Sequence, residues 1–154
     1  MPLVIVDANV ARSAGQPRPN AGAPAPQCVD ALEAIRDRAC HHGDLQIAMS
    51  QELLQEWAHH ARSFALTWLY DLRSRGFVQS FSLDSTMQDS ITRAATTVGQ
   101  NCRVPVEKDK HLVSLALQTD RRVVSNETRL PRHLANAAAH LALLSSIHWA
   151  HPIN

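Results

Sequence analysis

Glycine-built catalytic loops are missing from this sequence. It contains no GxxxxGK[ST], no GxGxxG and no GxSxG, which sets aside P-loop, dinucleotide-binding and hydrolase-elbow chemistry. Cysteine is almost absent as well. Cys28, Cys40 and Cys102 are odd in number, far apart and without a CxxC unit, so neither a zinc site nor a disulfide framework is expected. No stretch approaches the ~20 apolar residues that span a bilayer. The amino terminus has no basic residue before its short apolar run, unlike a signal peptide. The expectation is a cytoplasmic protein with no membrane partner. A charge excess of either sign is lacking too, the formal net charge being +1, which says little about partners. Among 15 Lys and Arg only Lys108 and Lys110 are lysines. Arginine pairs with phosphate through two parallel hydrogen bonds, and a lineage bias explains the skew equally well.

What is present is an ordinary globular composition, 45% hydrophobic and 19% charged over 154 residues, enough for one domain with a real core. Leu3 to Val6 is apolar at every residue, as in a strand covered on both faces. Residues 11–25 carry Pro17, Pro19, Pro24, Gly15 and Gly22 and read as a long irregular loop. A helix is expected over Gln27–His41 with Gly43 as its stop, then a strand over Leu45–Met49. Ser50 suits the N-cap of a long amphipathic helix, or of two in succession, ending near Gly76. Phe77–Leu83 reads as an edge strand, and Asp84 can cap a helix to about Gly99. Pro105 suits the first turn of a helix to about Thr119. A short buried strand over Arg122–Ser125, a helix over Pro131–Leu144 and a last strand over Ser146–Trp149 follow. Strands alternating with helices predict an α/β three-layer sandwich around a central, mostly parallel sheet.

The acidic residues carry the functional signal. Asp7 directly follows the first strand, and Glu127 follows Val123-Val124-Ser125-Asn126. In an open parallel sheet, ligands bind beyond the carboxyl ends of the strands. Asp7 is read either as a turn or helix cap or as a metal-bridging carboxylate, with Asn9 adding a neutral oxygen or fixing the loop. Glu56 lies at the border of its helix's apolar stripe, whereas Glu52 faces solvent. Asp109 shares a face with Leu112, Val113 and Ala116; an acid there needs a partner, and a capping role at the helix start competes. Ser125 and Asn126 can add oxygen atoms beside Glu127. Clustered carboxylates are costly without a cation, so a hard divalent metal and phosphate chemistry are the expectation. Arg12, Arg129 and Arg132 lie near enough in sequence to grip flanking phosphates. A histidine metal site is not expected: His41-His42 and His59-His60 are adjacent pairs, and His133 and His140 have no third ligand nearby. Val6-Asp7-Ala8-Asn9 lacks the second aspartate of an aspartyl-phosphate phosphatase. A response-regulator-like module calls for a lysine after a late strand, and none stands there.

Taken in order, Val-Asp-Ala-Asn-Val after the first strand, Ser50-x-x-Leu53-x-x-Glu56, Asp109-x-x-Leu112-Val113-x-x-Ala116 and Val-Val-Ser-Asn-Glu resemble the PIN-domain nucleases. That group includes the VapC-like toxins of toxin–antitoxin pairs. The resemblance runs over about residues 2–150. It implies a Rossmann-like sandwich and Mg²⁺- or Mn²⁺-dependent cleavage of RNA. Asp7, Glu56 and Asp109 match the family's acidic triad, and Glu127 stands where a fourth acid, usually aspartate, is found. The implied partners are RNA, an antitoxin protein and a second copy of the chain. The competing reading is a PIN-like scaffold that binds RNA or a protein without cleaving it.

Overall fold

The computed structural model describes residues 2–14, 26–61 and 63–152. Five strands, β1 (Leu3–Val6), β2 (Gln46–Ser50), β3 (Val78–Phe81), β4 (Arg122–Val124) and β5 (His148–Ala150), form one sheet in the order β3-β2-β1-β4-β5. Every pairing is parallel. The unbroken apolar run of β1 earns the central place, and Ile5 and Val6 are fully buried there. The chain winds outward from β1 to β3, then returns to lay β4 on the other side of β1. The loops after β1 and β4 therefore diverge, which opens a crevice at the carboxyl ends of these two strands.

Among the described residues eight α-helices connect the strands: α1 (Ala8–Ser13), α2 (Pro26–Asp37), α3 (Gln51–His60), α4 (Ser63–Ser74), α5 (Ser85–Val98), α6 (Gln100–Lys108), α7 (Lys110–Gln118) and α8 (Arg129–Ala137). The helices of the first half, α1 to α4, pack among themselves, and α5 to α8 form a second group, so the sheet is the middle layer of a three-layer α/β sandwich. Trp57 and Trp68 are fully buried and stack with ring centroids 5.8 Å apart. The Trp68 indole donates to the Leu32 carbonyl at 2.7 Å, joining α4 to α2.

Local signals hold well. Ser50 caps α3 by accepting from the Leu53 amide at 3.1 Å, and Asp84 caps α5 by accepting from Thr86. The long helix is two, broken at Ala61. Other boundaries differ from expectation. The predicted loop at 11–25 begins as the end of α1, and residues 15–25 lie outside the described residues. Pro105 is not in a first turn but inside α6; the polar stretch from Gln100 concealed that helix. The last helix starts and stops earlier than expected, over Arg129–Ala137, because Leu144 is drawn into the core by a separate 3₁₀ turn, Ala142–Ser146. β5 is accordingly shifted toward the carboxyl terminus.

Candidate metal centre

The parallel sheet decides where the acids can meet. Asp7 is the first residue beyond β1, and α3, carrying Glu56, starts directly after β2. Helix α7 leads into β4, so its start lies at the strands' carboxyl end, and Asp109 is the junction residue between α6 and α7. Asp109 thus does not sit on the α7 stripe as the spacing suggested. It reaches the crevice from the helix junction instead. Asp7, Glu56, Asp109 and Glu127 all line one cleft of about 220 Å³, together with Ala8, Asn9, Arg12, His60 and Lys108.

A buried polar network fixes the floor of this cleft. The Ser125 hydroxyl accepts from Asn9 Nδ2 at 3.2 Å and from the Glu127 amide at 2.9 Å. Both acceptor sites of that oxygen are then filled, and its proton is donated to Asp7 Oδ2 at 2.9 Å. The Asn126 amide donates to Asn9 Oδ1 at 3.1 Å, while its side chain donates to the Asn9 carbonyl and the Ser13 hydroxyl. Asn9, Ser125 and Asn126 therefore clamp the β1–α1 and β4–α8 loops together. Of the three, Asn9 lines the cleft.

The turn-or-cap alternatives resolve differently for each acid. The Asp7 side chain makes no well-formed capping hydrogen bond to α1, although the Ala8 and Asn9 amides lie close enough to draw its pKa down slightly, and the side chain of Asp109 makes no cap to α7. Glu127 does act as a cap: its Oε1 accepts from the Arg129 amide at 2.9 Å and the Leu130 amide at 3.4 Å. Arg12 reaches the cleft as expected, whereas Arg129 and Arg132 are exposed on α8 outside its lining residues. Sequence reasoning missed His60, Lys108 and His111. His60 lies one turn beyond Glu56 on α3, and Lys108 precedes Asp109; both were readable once the acids were chosen. His111 Nε2 lies 2.7 Å from Glu56 Oε1.

Electrostatics set these acids apart. Burial pushes the Asp7 carboxyl above the ordinary range, the Ser125 hydroxyl draws it back, and the Glu56 charge raises it again. Asp109 is pushed up to about 6, by burial first and then by Asp7 and Glu56, against the opposing pull of Lys108 and His111. Among the described residues no Lys or Arg forms an ion pair with Asp7, Asp109 or Glu127. This carboxylate-rich set, without a Lys or Arg ion-pair partner for Asp7, Asp109 or Glu127 among the described residues, fits a divalent cation. A consequence is measurable without any metal. The folded chain keeps protons on Asp7 and Asp109 at pH values where the unfolded chain has released them. The stability that these two carboxyls contribute in EDTA should then be fully present below the ordinary carboxyl value of 3.8 and be lost as pH rises to about 6. The Asp109 share is on the order of 1–2 kcal/mol after allowance for solvent screening. Urea titrations across that window should show a shallower decline for Asp109→Asn. A variant retaining the full decline removes Asp109 as its source.

No protein-family model, curated protein or solved structure matches the chain. Among the described residues no helix is long and apolar enough to cross a membrane, and Cys28, Cys40 and Cys102 are free thiols.

Proposed function

We propose that this chain is a PIN-type, divalent-metal-dependent endoribonuclease that hydrolyses RNA phosphodiester bonds at the carboxyl end of its sheet. The observation that carries this reading is the meeting of Asp7, Glu56, Asp109 and Glu127, drawn from four segments of the chain, around one cleft. Asp7, Glu56 and Asp109 would hold Mg²⁺ or Mn²⁺, with Glu127 at the margin because its carboxylate already serves α8. When bound, such an ion neutralises charge on phosphate and acidifies water.

The chain's own residues account for the rest. The Ser125 proton holds Asp7 in one orientation, which keeps the central carboxylate in place before substrate arrives. The carboxyls of Asp7 and Asp109 are raised by burial first and by neighbouring acids second, and a cation relieves both. Arg12 and Lys108 stand at the same cleft, where their positive charge suits the phosphates on either side of a scissile bond. Acids and bases lining one cleft together support a phosphodiester substrate. The choice of RNA rests on the motif resemblance. An antitoxin partner and a homodimer belong to the same reading.

The test is incubation of the full chain with a mixed RNA pool and, separately, a single-stranded DNA pool, with Mg²⁺, Mn²⁺ or EDTA. Cleavage of RNA with either metal and none with EDTA is expected. RNA that is retained on the protein yet stays intact with both metals overturns the enzyme in favour of a binding module.

A further inference from the structure

His111 lies in the first turn of α7, two residues beyond Asp109. Its side chain is 15% exposed, and its Nε2 contacts Glu56 Oε1 at 2.7 Å. The other ring nitrogen, Nδ1, is buried without a hydrogen-bond partner among the described residues. Its one polar contact is with Glu56, which lines the cleft. One donor atom each from Glu56, Asp109 and His111 lies within 4.8 Å of the other two. For bonds of ~2.1 Å, two ligands at right angles on one ion stand roughly 3 Å apart, and two opposite ligands roughly 4.2 Å. The His111–Glu56 separation of 2.7 Å falls near the first value, and the 4.8 Å bound on the trio is compatible with one ion.

We propose that His111 is itself a ligand, through Nε2, so that the centre is a mixed nitrogen–oxygen site that takes a transition-metal ion such as Mn²⁺ in preference to Mg²⁺. The inference rests on the metal site of the nuclease reading and deepens it. Mg²⁺ demands oxygen ligands and gives up its waters reluctantly, whereas an imidazole donor favours first-row transition metals. The acids alone imply an all-oxygen centre; His111 changes the donor chemistry. Ligation would replace the Nε2···Oε1 hydrogen bond by bonds from both atoms to one ion and leave the ring proton on the buried Nδ1, a desolvation cost that the metal bonds have to offset. The competing role is that of a positioning residue, in which His111 only steers Glu56 by that hydrogen bond.

Pulsed EPR of the Mn²⁺ complex, with calorimetric titration of Mn²⁺ and Mg²⁺ in the absence of RNA, separates the two. Nitrogen hyperfine coupling should be present in the wild-type protein, retained in His60→Gln and lost in His111→Gln. The glutamine keeps an N–H donor for Glu56, so a folded variant is expected, and its melting curve checks this. Mn²⁺ affinity of His111→Gln should fall by more than the ~10-fold that loss of even an outer partner costs, with Mg²⁺ affinity little changed. Absence of nitrogen coupling in the wild type, or equal losses for both ions, overturns the ligand role while leaving the nuclease reading intact. Failure of the wild type to bind either ion overturns both.

Discussion

Asp7→Asn should abolish metal-dependent RNA cleavage while leaving the protein folded. Asp7 is 9% exposed and lines the cleft, so on the nuclease reading the substitution would remove a direct ligand and its charge together. On the nuclease reading, the loss should exceed the ~10²–10³-fold that removal of a single electrostatic contact in an active site costs. The neutral amide still presents an oxygen to the Ser125 hydroxyl, which now donates to Asp7 Oδ2, so the loop clamp survives. Removing a buried charge that is repelled by Glu56 should leave the melting temperature in EDTA unchanged or slightly raised. The rise in melting temperature that Mn²⁺ gives the wild type should disappear. Glu127→Gln provides the contrast. Its Oε1 can still accept the Arg129 and Leu130 amides, and its loss should be the ~10–100-fold of an outer partner, recovered at high Mn²⁺. Wild-type cleavage by Asp7→Asn, or collapse of its fold, removes Asp7 from the chemistry.

The second large effect concerns stability. Trp57 is fully buried, stacks on Trp68 and donates its indole N–H to the Val6 carbonyl at 3.0 Å. Trp57→Ala should cost about 3–5 kcal/mol, a large part of the ~5–15 kcal/mol that holds a domain together. Trp57→Phe keeps one aromatic ring but removes the pyrrole ring with its N–H: the Val6 carbonyl loses its donor, at about 1–3 kcal/mol, and the small void left in the core adds to that loss. That bond joins the residue before Asp7 to the residue after Glu56. Its loss should therefore also weaken metal binding, read by calorimetry under conditions where the Phe variant is folded. Wild-type urea stability in the Phe variant would falsify any contribution of the bond.

Much of this architecture is legible wherever the determinant is local. The Leu3–Val6 run announces a strand buried on both faces, and Ser50, Asp84, Gly43 and Gly76 announce helix ends through chemistry that acts within a few residues. Gly43 and Gly76 indeed take φ values of 64° and 82°, which side-chain-bearing residues seldom adopt. What escaped depends on distant partners. Helix α1 is six residues long, too short for its period to show, and forms because Ala8, Val10 and Ala11 are buried. Helix α6 buries only Cys102 and Val106, too few for a visible period, and packs against α5 and α8.

The candidate site divides the same way. Asp7 and Glu127 stand out because they follow strand ends, and Glu56 because its helix begins at one. Asp109 was found, but in the wrong local setting: it ends one helix and begins another. His111 was invisible for the same reason, since its direction depends on where α7 begins. The loop clamp through Asn9, Ser125 and Asn126 could be suspected from composition, but the route of the Ser125 proton emerges only from its three contacts.

That clamp also orders events during synthesis. Its partners Asp7 and Ser125 are 118 positions apart in the chain, and Asn9 bonds to Asn126 across a similar interval. Pairings this remote form after local helices, because the intervening loop must first be closed. A chain still emerging from the ribosome can build β1, β2 and β3 while Asp7 has no hydroxyl to orient it. Only when β4 docks beside β1 do the first and last acids come face to face. Assembly of the acidic cleft is thus expected to be among the last steps of maturation, so that a stalled or truncated chain lacking β4 would carry the early carboxylates without the geometry that joins them.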